Sequence, residues 1–166
     1  MSHESAGEEP VPKYPFRILH VFFPEIMLKR ADVLPEGTFN IPLQIEVAFG
    51  FTQTAIPQRY ALRIRASSGD EKSDISIVIV GVAVFESVGE KDPSDQEIAD
   101  FVRERALLAT TSRFLQILGT STGQMGMPPI WPNTPMEFGF DVGIVSAARA
   151  APTVEKEPAP VERQGT

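Results

Sequence analysis

A chain of 166 residues, 42% of them hydrophobic, is expected to form one globular domain with a hydrophobic core. Acidic residues outnumber basic ones by 22 to 15, and the net charge of −7 argues against binding to nucleic acid phosphates or to an anionic membrane. The absence of cysteine excludes disulfides and thiolate chemistry. The longest apolar run, residues 75–85, is too short for a membrane helix, and the N-terminus lacks a signal-peptide pattern, so the sequence predicts a soluble, cytoplasmic protein.

The two ends of the chain differ in composition from its middle. Residues 1–14 are polar and punctuated by Pro and Gly, and residues 146–166 are rich in Ala, Pro and charge. Neither end can bury enough apolar surface to offset the entropy of ordering. The sequence therefore predicts disordered tails at 1–14 and 146–166 around one folded domain at 15–145.

The folded part begins with a strand-like segment that contains a proline. Its alternation predicts two faces, one with Ile18, His20 and Phe22 and the other with Leu19, Val21 and Phe23. Because proline cannot donate to a strand ladder, Pro24 implies a bulge or an edge position.

Three further segments alternate as strands. The second and third show one apolar face each, formed by Ile41, Leu43, Ile45, Val47, Phe49 and Phe51 and then by Tyr60, Leu62, Ile64 and Ala66. The fourth, after a turn at Gly69 and Asp70, is apolar on both faces: Ile75, Ile77, Ile79, Gly81, Ala83 and Phe85 oppose Val78, Val80, Val82 and Val84. A one-sided sheet would be polar on its second face, so something else is expected to cover these valines.

A long amphipathic helix follows the strands. Ser94 and Glu97 form a capping-box pattern at its start, and Gly119 is expected to end it. Arg105 and Ser112 interrupt its apolar stripe, which is typical of a helix that packs on a second copy as well as on its own sheet. Residues 136–145 are too Gly-rich to predict a helix with assurance. Four antiparallel strands followed by a helix and a Pro/Met-rich loop indicate an α+β fold.

The motifs that could carry catalysis or metal binding are weak. Residues 119–123 match GxSxG, yet a helix precedes Ser121 and no His follows it, so a helix stop explains the pattern better than a hydrolase. His20 has no second His or Cys to join it as a ligand and is expected in a core or an interface. The acidic turn formed by Asp70, Glu71 and Asp74 is expected to be solvated. The basic row of Arg63 and Arg65 on the third strand is expected to be solvated as well. We expect no enzyme activity, no metal and no cofactor.

The remaining signal is a surplus of apolar side chains on the loop after the helix. They are Met125, Met127, Ile130, Trp131, Met136 and Phe138. Self-association, a groove for other apolar chains, and a lid folded over the chain's own sheet all account for them. Composition leaves these alternatives open.

The order of elements and several quoted stretches suggest a family. Over residues 16–140 the chain resembles the export chaperone SecB: in the opening "FRILHVFFPEI", in the paired strands "YALRIRASSGDEKSDISIVIVGVAVF", and in "GTSTGQMGMPPIWPNTPMEF" after the helix. The resemblance implies an ATP-independent holdase for unfolded polypeptides, assembled as a homotetramer with helices between two sheets.

The resemblance also implies roles for particular residues. The client groove would include Phe22, Phe23, Met125, Met127, Ile130, Trp131, Met136 and Phe138. The subunit interfaces would include Val78, Val80, Val82, Phe101, Arg105, Leu108, Ser112 and Leu115. Glu25 matches one position of the acidic patch that docks the SecA translocase in the family.

Other positions depart from that patch, since Lys29 and Val78 stand where acids are expected. Docking to SecA is therefore doubtful, and a SecB-like chaperone for other clients, such as an antitoxin, is the alternative. A non-enzymatic adaptor for one folded partner is a further alternative.

Overall fold

The computed structural model describes residues 14–30, 32, 43–52, 57–69, 73–127 and 139–151. Four strands come first: β1 (Phe16–Arg30), β2 (Gln44–Thr52), β3 (Arg59–Ser68) and β4 (Ile75–Ser87). Helices α1 (Asp95–Phe101) and α2 (Leu107–Gln124) follow, joined by a π-helical segment (Val102–Ala106), and then α3 (Val142–Ala150). The predicted α+β class and the four antiparallel strands are confirmed.

The sheet has the order β1-β4-β3-β2, and every neighbouring pair is antiparallel. This order puts β1 and β2 at the edges and the valine-rich β4 inside. The predicted edge position and bulge of the proline strand are both confirmed, since the register of β1 against β4 shifts between Phe22 and Glu25, around Pro24. An edge strand tolerates the missing N–H of proline, because that position needs no ladder bond.

A second register shift in β1 changes one predicted face. The shift lies between Ile18 and His20. Ile18 pairs with Phe85, and His20 pairs with Val84, the residue next to Phe85 in β4. Ile18 therefore faces the core together with Val21, while His20 lies on the other face. The predicted grouping of Ile18 with His20 and Phe22 is wrong, because an extra residue in a bulge reverses the alternation that follows it.

The helices pack on one face of the sheet. Two clusters form that core: one joins the sheet to α1, the π-helical segment and α3, and the other joins it to α2. The predicted inward residues of β3 and β4 belong to these clusters: Tyr60, Leu62, Ile64, Ala66, Ile77, Ile79, Ala83 and Phe85. In β2, Ile45, Val47, Phe49 and Phe51 pack against the clusters, whereas Ile41 lies outside the described residues.

The predicted capping box is present at the start of α1. The backbone N–H of Glu97 donates to Ser94 Oγ at 3.3 Å, and the backbone N–H of Ser94 donates to Glu97 Oε2 at 2.8 Å. These hydrogen bonds to its charged form lower the pKa of Glu97, the backbone bond from Ser94 having the largest effect. The first turn of α1 is therefore fixed by the pair that the sequence indicates.

The helix does not end where the sequence predicts. Gly119 lies inside α2, which continues to Gln124, because one glycine weakens a helix without terminating it. The chain leaves the helix at Gly126, whose φ of +69° is the left-handed conformation that glycine adopts without strain. The π-helical segment is a further difference, since its residues read as continuous α-helix in the sequence.

A C-terminal helix is present where the sequence predicts none. Asp141 caps α3 by accepting from the backbone N–H of Ile144 at 3.2 Å. At its other end Arg149 Nε lies 2.6 Å from Asp95 Oδ1, and the Ser146 hydroxyl donates to Asp95 Oδ2 at 2.7 Å. Residues 146–150 therefore belong to a helix anchored on α1, although the sequence assigns them to the tail. Residues 152–166 lie outside the described part of the chain, and the domain limits themselves stay predictions.

A close approach between β4 and the elements above it depends on Gly81. A Cβ atom at this position would lie 2.8 Å from Phe23 Cε1 and 3.0 Å from Thr110 Cγ2. Thr110 is buried in α2, where its hydroxyl donates to the Ala106 carbonyl at 2.8 Å. Glycine thus lets α2 and the Phe23 ring come down onto the middle of the sheet.

The substitution Gly81→Ala is expected to lower the free energy of unfolding by about 1–3 kcal/mol, because Phe23 or α2 must move to admit the methyl group. Urea unfolding followed by circular dichroism measures the change. The control is Gly50→Ala in β2, where a Cβ atom would meet nothing within 4 Å. Equal effects at both positions would contradict the close packing at Gly81.

Candidate functional site

Large apolar side chains remain exposed mainly on one strand. The exposed fraction is 43% for Phe22, 44% for Ile26 and 57% for Met27, all in β1. Val88 and Leu108 are the other large hydrophobic residues exposed among those that the structure describes, at 50% and 62%. Since exposed apolar side chains that cluster mark interaction sites more often than scattered ones, β1 is the first candidate for a binding element.

The core side of β1 forms a rim with α2 and the residue that follows it. Four partly buried residues pack there against the cluster under α2, and the exposed Ile26 pairs with Ile79 of that cluster, which places it on the same face. We call this surface the β1–α2 rim; it comprises Phe23, Ile26, Leu28, Arg30, Leu115 and Met125. It offers apolar side chains that are half in contact with the core and half open to a ligand.

A hydrogen bond holds the two sides of the rim together. Arg30 at the end of β1 donates from Nη1 to the Met125 carbonyl at 2.6 Å, just after the last residue of α2. The turn there is closed by the Met127 N–H, which donates to the Thr122 carbonyl at 3.0 Å. Arg30 thereby satisfies a carbonyl that the end of a helix leaves without an intrahelical partner.

The structure divides the predicted groove residues among three environments. Phe23 and Met125 lie in the rim, but Phe22 pairs with Val82 on the opposite face of the sheet, so one chain does not present Phe22 and Phe23 to the same ligand. Met127 is 5% exposed and belongs to the core with Phe114 and Leu118. The other four residues, Ile130, Trp131, Met136 and Phe138, lie outside the described part of the chain.

Ile26, Leu28 and Arg30 belong to this surface, although the sequence pattern did not predict them there. Pro24 reads as an interruption of the first strand, whereas β1 continues to Arg30 because a bulge accommodates the proline. The alternation of Ile26 and Leu28 is the signal that could have identified them.

The predicted interface residues are likewise divided. Phe101 is 4% exposed and packs on Phe16 and Phe85 in the chain's own core, which leaves it no surface for a second subunit. Val80 is 1% exposed. Three members on the helices are exposed, namely Arg105, Leu108 and Ser112. Three on β4 and α2 are partly buried, namely Val78, Val82 and Leu115. A subunit interface through these six stays a prediction.

The translocase candidate Glu25 is exposed on β1, opposite Val80. Lys29 lies four residues from Glu25 along β1 and on the same face, with Met27 between them. The structure thus puts a carboxylate and an ammonium group on one strand face, and a docking role for Glu25 stays a prediction.

The structure removes the geometric basis of the weak chemical motifs. Ser121 lies within α2 and not on the strand-to-helix turn that a nucleophile elbow requires. His20 is exposed, with its ring 5.6 Å from that of Phe22, so it is not a core residue of this chain. No group of three His, Asp or Glu side chains able to hold a metal occurs in the described ranges.

Two further observations concern polarity. Burial raises the pKa of Tyr60 to about 12, and its hydroxyl donates to Gln58 Oε1 at 2.6 Å, so this phenol is a neutral core group. None of the helices described is long and apolar enough to cross a bilayer.

Comparison with known proteins identifies a similar fold. No family model and no curated protein matches the chain. Among solved structures, the SecB-like chaperone Rv1957 of Mycobacterium tuberculosis, solved in complex with a ChAD peptide from the HigA1 antitoxin, is similar with a TM-score of 0.58 and 17% identity. The match covers 73% of this chain and 91% of that one. The chain therefore has a SecB-like fold, as the sequence resemblance predicts.

The burial of Met127 leads to a prediction that separates core from surface methionines. Met127→Ala is expected to lower the free energy of unfolding by about 2–4 kcal/mol, because it leaves a cavity between α2 and the sheet. The matched control is Met27→Ala on β1, where the side chain is 57% exposed and the cost is expected below about 1 kcal/mol. Thermal or urea unfolding of both variants measures the difference, and a larger cost at Met27 would contradict the assignment of Met127 to the core.

Proposed function

We propose that the protein is an ATP-independent chaperone that holds unfolded polypeptide segments at the β1–α2 rim. The observation that carries the proposal is the row of exposed and half-buried apolar side chains along an edge strand of a SecB-like fold. Extended chains of varied sequence can bind such a row, because apolar contacts are non-directional and the Met and Phe side chains repack.

The chemistry of the rim suits a holdase better than an enzyme. Apart from the Arg30 guanidinium, its members are apolar, and many weak contacts of this kind give binding without a fixed sequence motif. A bound client is kept from aggregating by mass action, since the chaperone withdraws unfolded chain from solution. The predicted homotetramer would bring several rims together and raise the avidity for one long client.

A more specialised function is the second candidate. The similar mycobacterial chaperone was solved with a peptide from an antitoxin, so the rim of this chain is proposed alternatively to serve one antitoxin-like segment. Such a protein would bind one partner tightly and protect unrelated unfolded proteins poorly. Participation in protein export is a further extension of the holdase proposal and requires a translocase contact, for which Glu25 is the only matching position among those described.

The test is aggregation of a reduced, unfolded client such as lysozyme, followed by light scattering with increasing amounts of this protein, whose mass is measured in parallel. Ile26→Ser is expected to raise the concentration needed for half suppression about fivefold, because an apolar contact of about 1 kcal/mol is lost from each rim. Val88→Ser is the matched control, since Val88 is also β-branched and 50% exposed but lies at the end of β4.

Suppression that fails with the wild-type protein would exclude the general holdase and leave the dedicated partner. Suppression that survives Ile26→Ser and Leu115→Ser together, at an unchanged mass, would place the client elsewhere on the molecule.

A further inference from the structure

The face of the sheet opposite the helices carries a second apolar surface. Pairing registers align its central residues in four rows across β1, β4, β3 and β2. The rows are His20, Val84, Ala61 and Gly50; Phe22, Val82, Arg63 and Ala48; Glu25, Val80, Arg65 and Glu46; and Met27, Val78, Ser67 and Gln44. We call its apolar part the outer patch, made of Phe22, Met27, Val78, Val82 and Val84.

None of the described helices packs over the outer patch. The buried partners of all three helices lie on the other face, in the clusters that contain Leu62, Ile79 and Phe85. Phe22 and Met27 are 43% and 57% exposed, and the three valines are half-buried between neighbouring strands. The outer patch is thus separate from the β1–α2 rim, which lies across the thickness of the sheet.

The charges around the outer patch are opposite in sign to the protein as a whole. By register, the same face carries five cationic side chains against three carboxylates: Arg17, Lys29, Arg59, Arg63 and Arg65, against Glu25, Glu46 and Glu86. The whole chain has a net charge of −7. A cationic excess on one face of an acidic protein is a local feature that favours an anionic partner.

The ion pairs on this face leave one arginine available for such a partner. Glu86 is 3% exposed and is held by Arg17 and, at 3.7 Å, by Arg59. Arg65 lies 3.6 Å from Glu46. Among the residues that the structure describes, no carboxylate pairs with Arg63, which is exposed between Val82 and Ala48; Val82 separates it from Phe22 in the same row.

We propose that the outer patch, with Arg63 beside it, docks an acidic, extended polypeptide segment of a partner protein that carries apolar and carboxylate side chains on the same face. Apolar side chains of the segment would cover Phe22 and the valines, and a carboxylate would accept two hydrogen bonds from the Arg63 guanidinium. A second copy of this chain fits less well, because two such faces brought together would double the cationic excess in a low-dielectric interface.

The experiment measures binding of a fluorescein-labelled peptide in which pairs of leucines alternate with pairs of glutamates, so that an extended chain has both residue types on each face, by fluorescence anisotropy. The peptide has about 12 residues, which matches the length of β4 at roughly 3.3 Å per residue. The same peptide with lysine in place of glutamate tests the sign of the charge. We expect the acidic peptide to bind, the lysine peptide to bind at least about tenfold more weakly, and salt to weaken the binding by screening.

Variants locate the binding surface. Arg63→Glu is expected to weaken binding of the acidic peptide at least about tenfold, since it replaces a charge-assisted pair by repulsion. Arg113→Glu is the matched control: it makes the same change of net charge at an exposed position of α2 and is expected to leave the affinity unchanged. Ile26→Ser in the rim is expected to have no effect either.

Three results would overturn the proposal. They are equal affinity for the two peptides, equal loss with Arg63→Glu and Arg113→Glu, and loss of binding in Ile26→Ser, which would place the peptide in the β1–α2 rim. Ile26→Ser is expected to weaken aggregation suppression but not peptide binding. Failure of the proposed function would therefore appear in the aggregation experiment, and failure of the outer patch in the peptide experiment.

Discussion

The segregation of all described helices to one face of a four-stranded sheet is the constraint on which the rest of this structure depends. A central strand with one face under helices needs apolar residues there, and Ile77, Ile79 and Phe85 supply them. The second face of β4 is equally rich in valine, yet none of the described helices covers it. Both binding surfaces considered for this protein follow from that arrangement, one at the edge where sheet and helix meet and one on the uncovered face.

The packing of α2 on the sheet is what makes the rim a defined surface. A side chain at position 81 would hold α2 and Phe23 away from β4, and glycine has none. Arg30 then joins the end of β1 to the turn after α2 through the Met125 carbonyl. These contacts join the two sides of the rim, so less backbone ordering is needed when a client binds through many weak contacts.

Much of the fold was predictable from sequence because it rests on local patterns. Period-2 alternation in residues 60–66 identified the core face of β3, and the Ser94 and Glu97 pair identified the start of α1. The prediction for β1 was wrong at Ile18, since a bulge at Leu19 is set by pairing with β4 and leaves no mark in the strand's own alternation. Gly119 and the Gly-rich start of α3 were misinterpreted for a similar reason: packing on the sheet and the Arg149–Asp95 ion pair outweigh a weak intrinsic propensity.

The candidate site was less predictable than the fold. Sequence placed Met127 and Phe101 at binding surfaces because both are large and apolar, whereas burial of each in the chain's own core depends on long-range contacts. Of the predicted groove, Phe23 and Met125 lie in the rim. Ile26 and Arg30 belong to the rim because β1 continues past Pro24, which the sequence did not predict.

Binding of unfolded clients at the β1–α2 rim is tested by hydrogen exchange with mass spectrometry, with and without a reduced unfolded client. We expect slower exchange in β1 and in the part of α2 from Leu115 onward when the client is present, with β2 unchanged. Slower exchange confined to β2, or no change anywhere while the client remains bound, would contradict it.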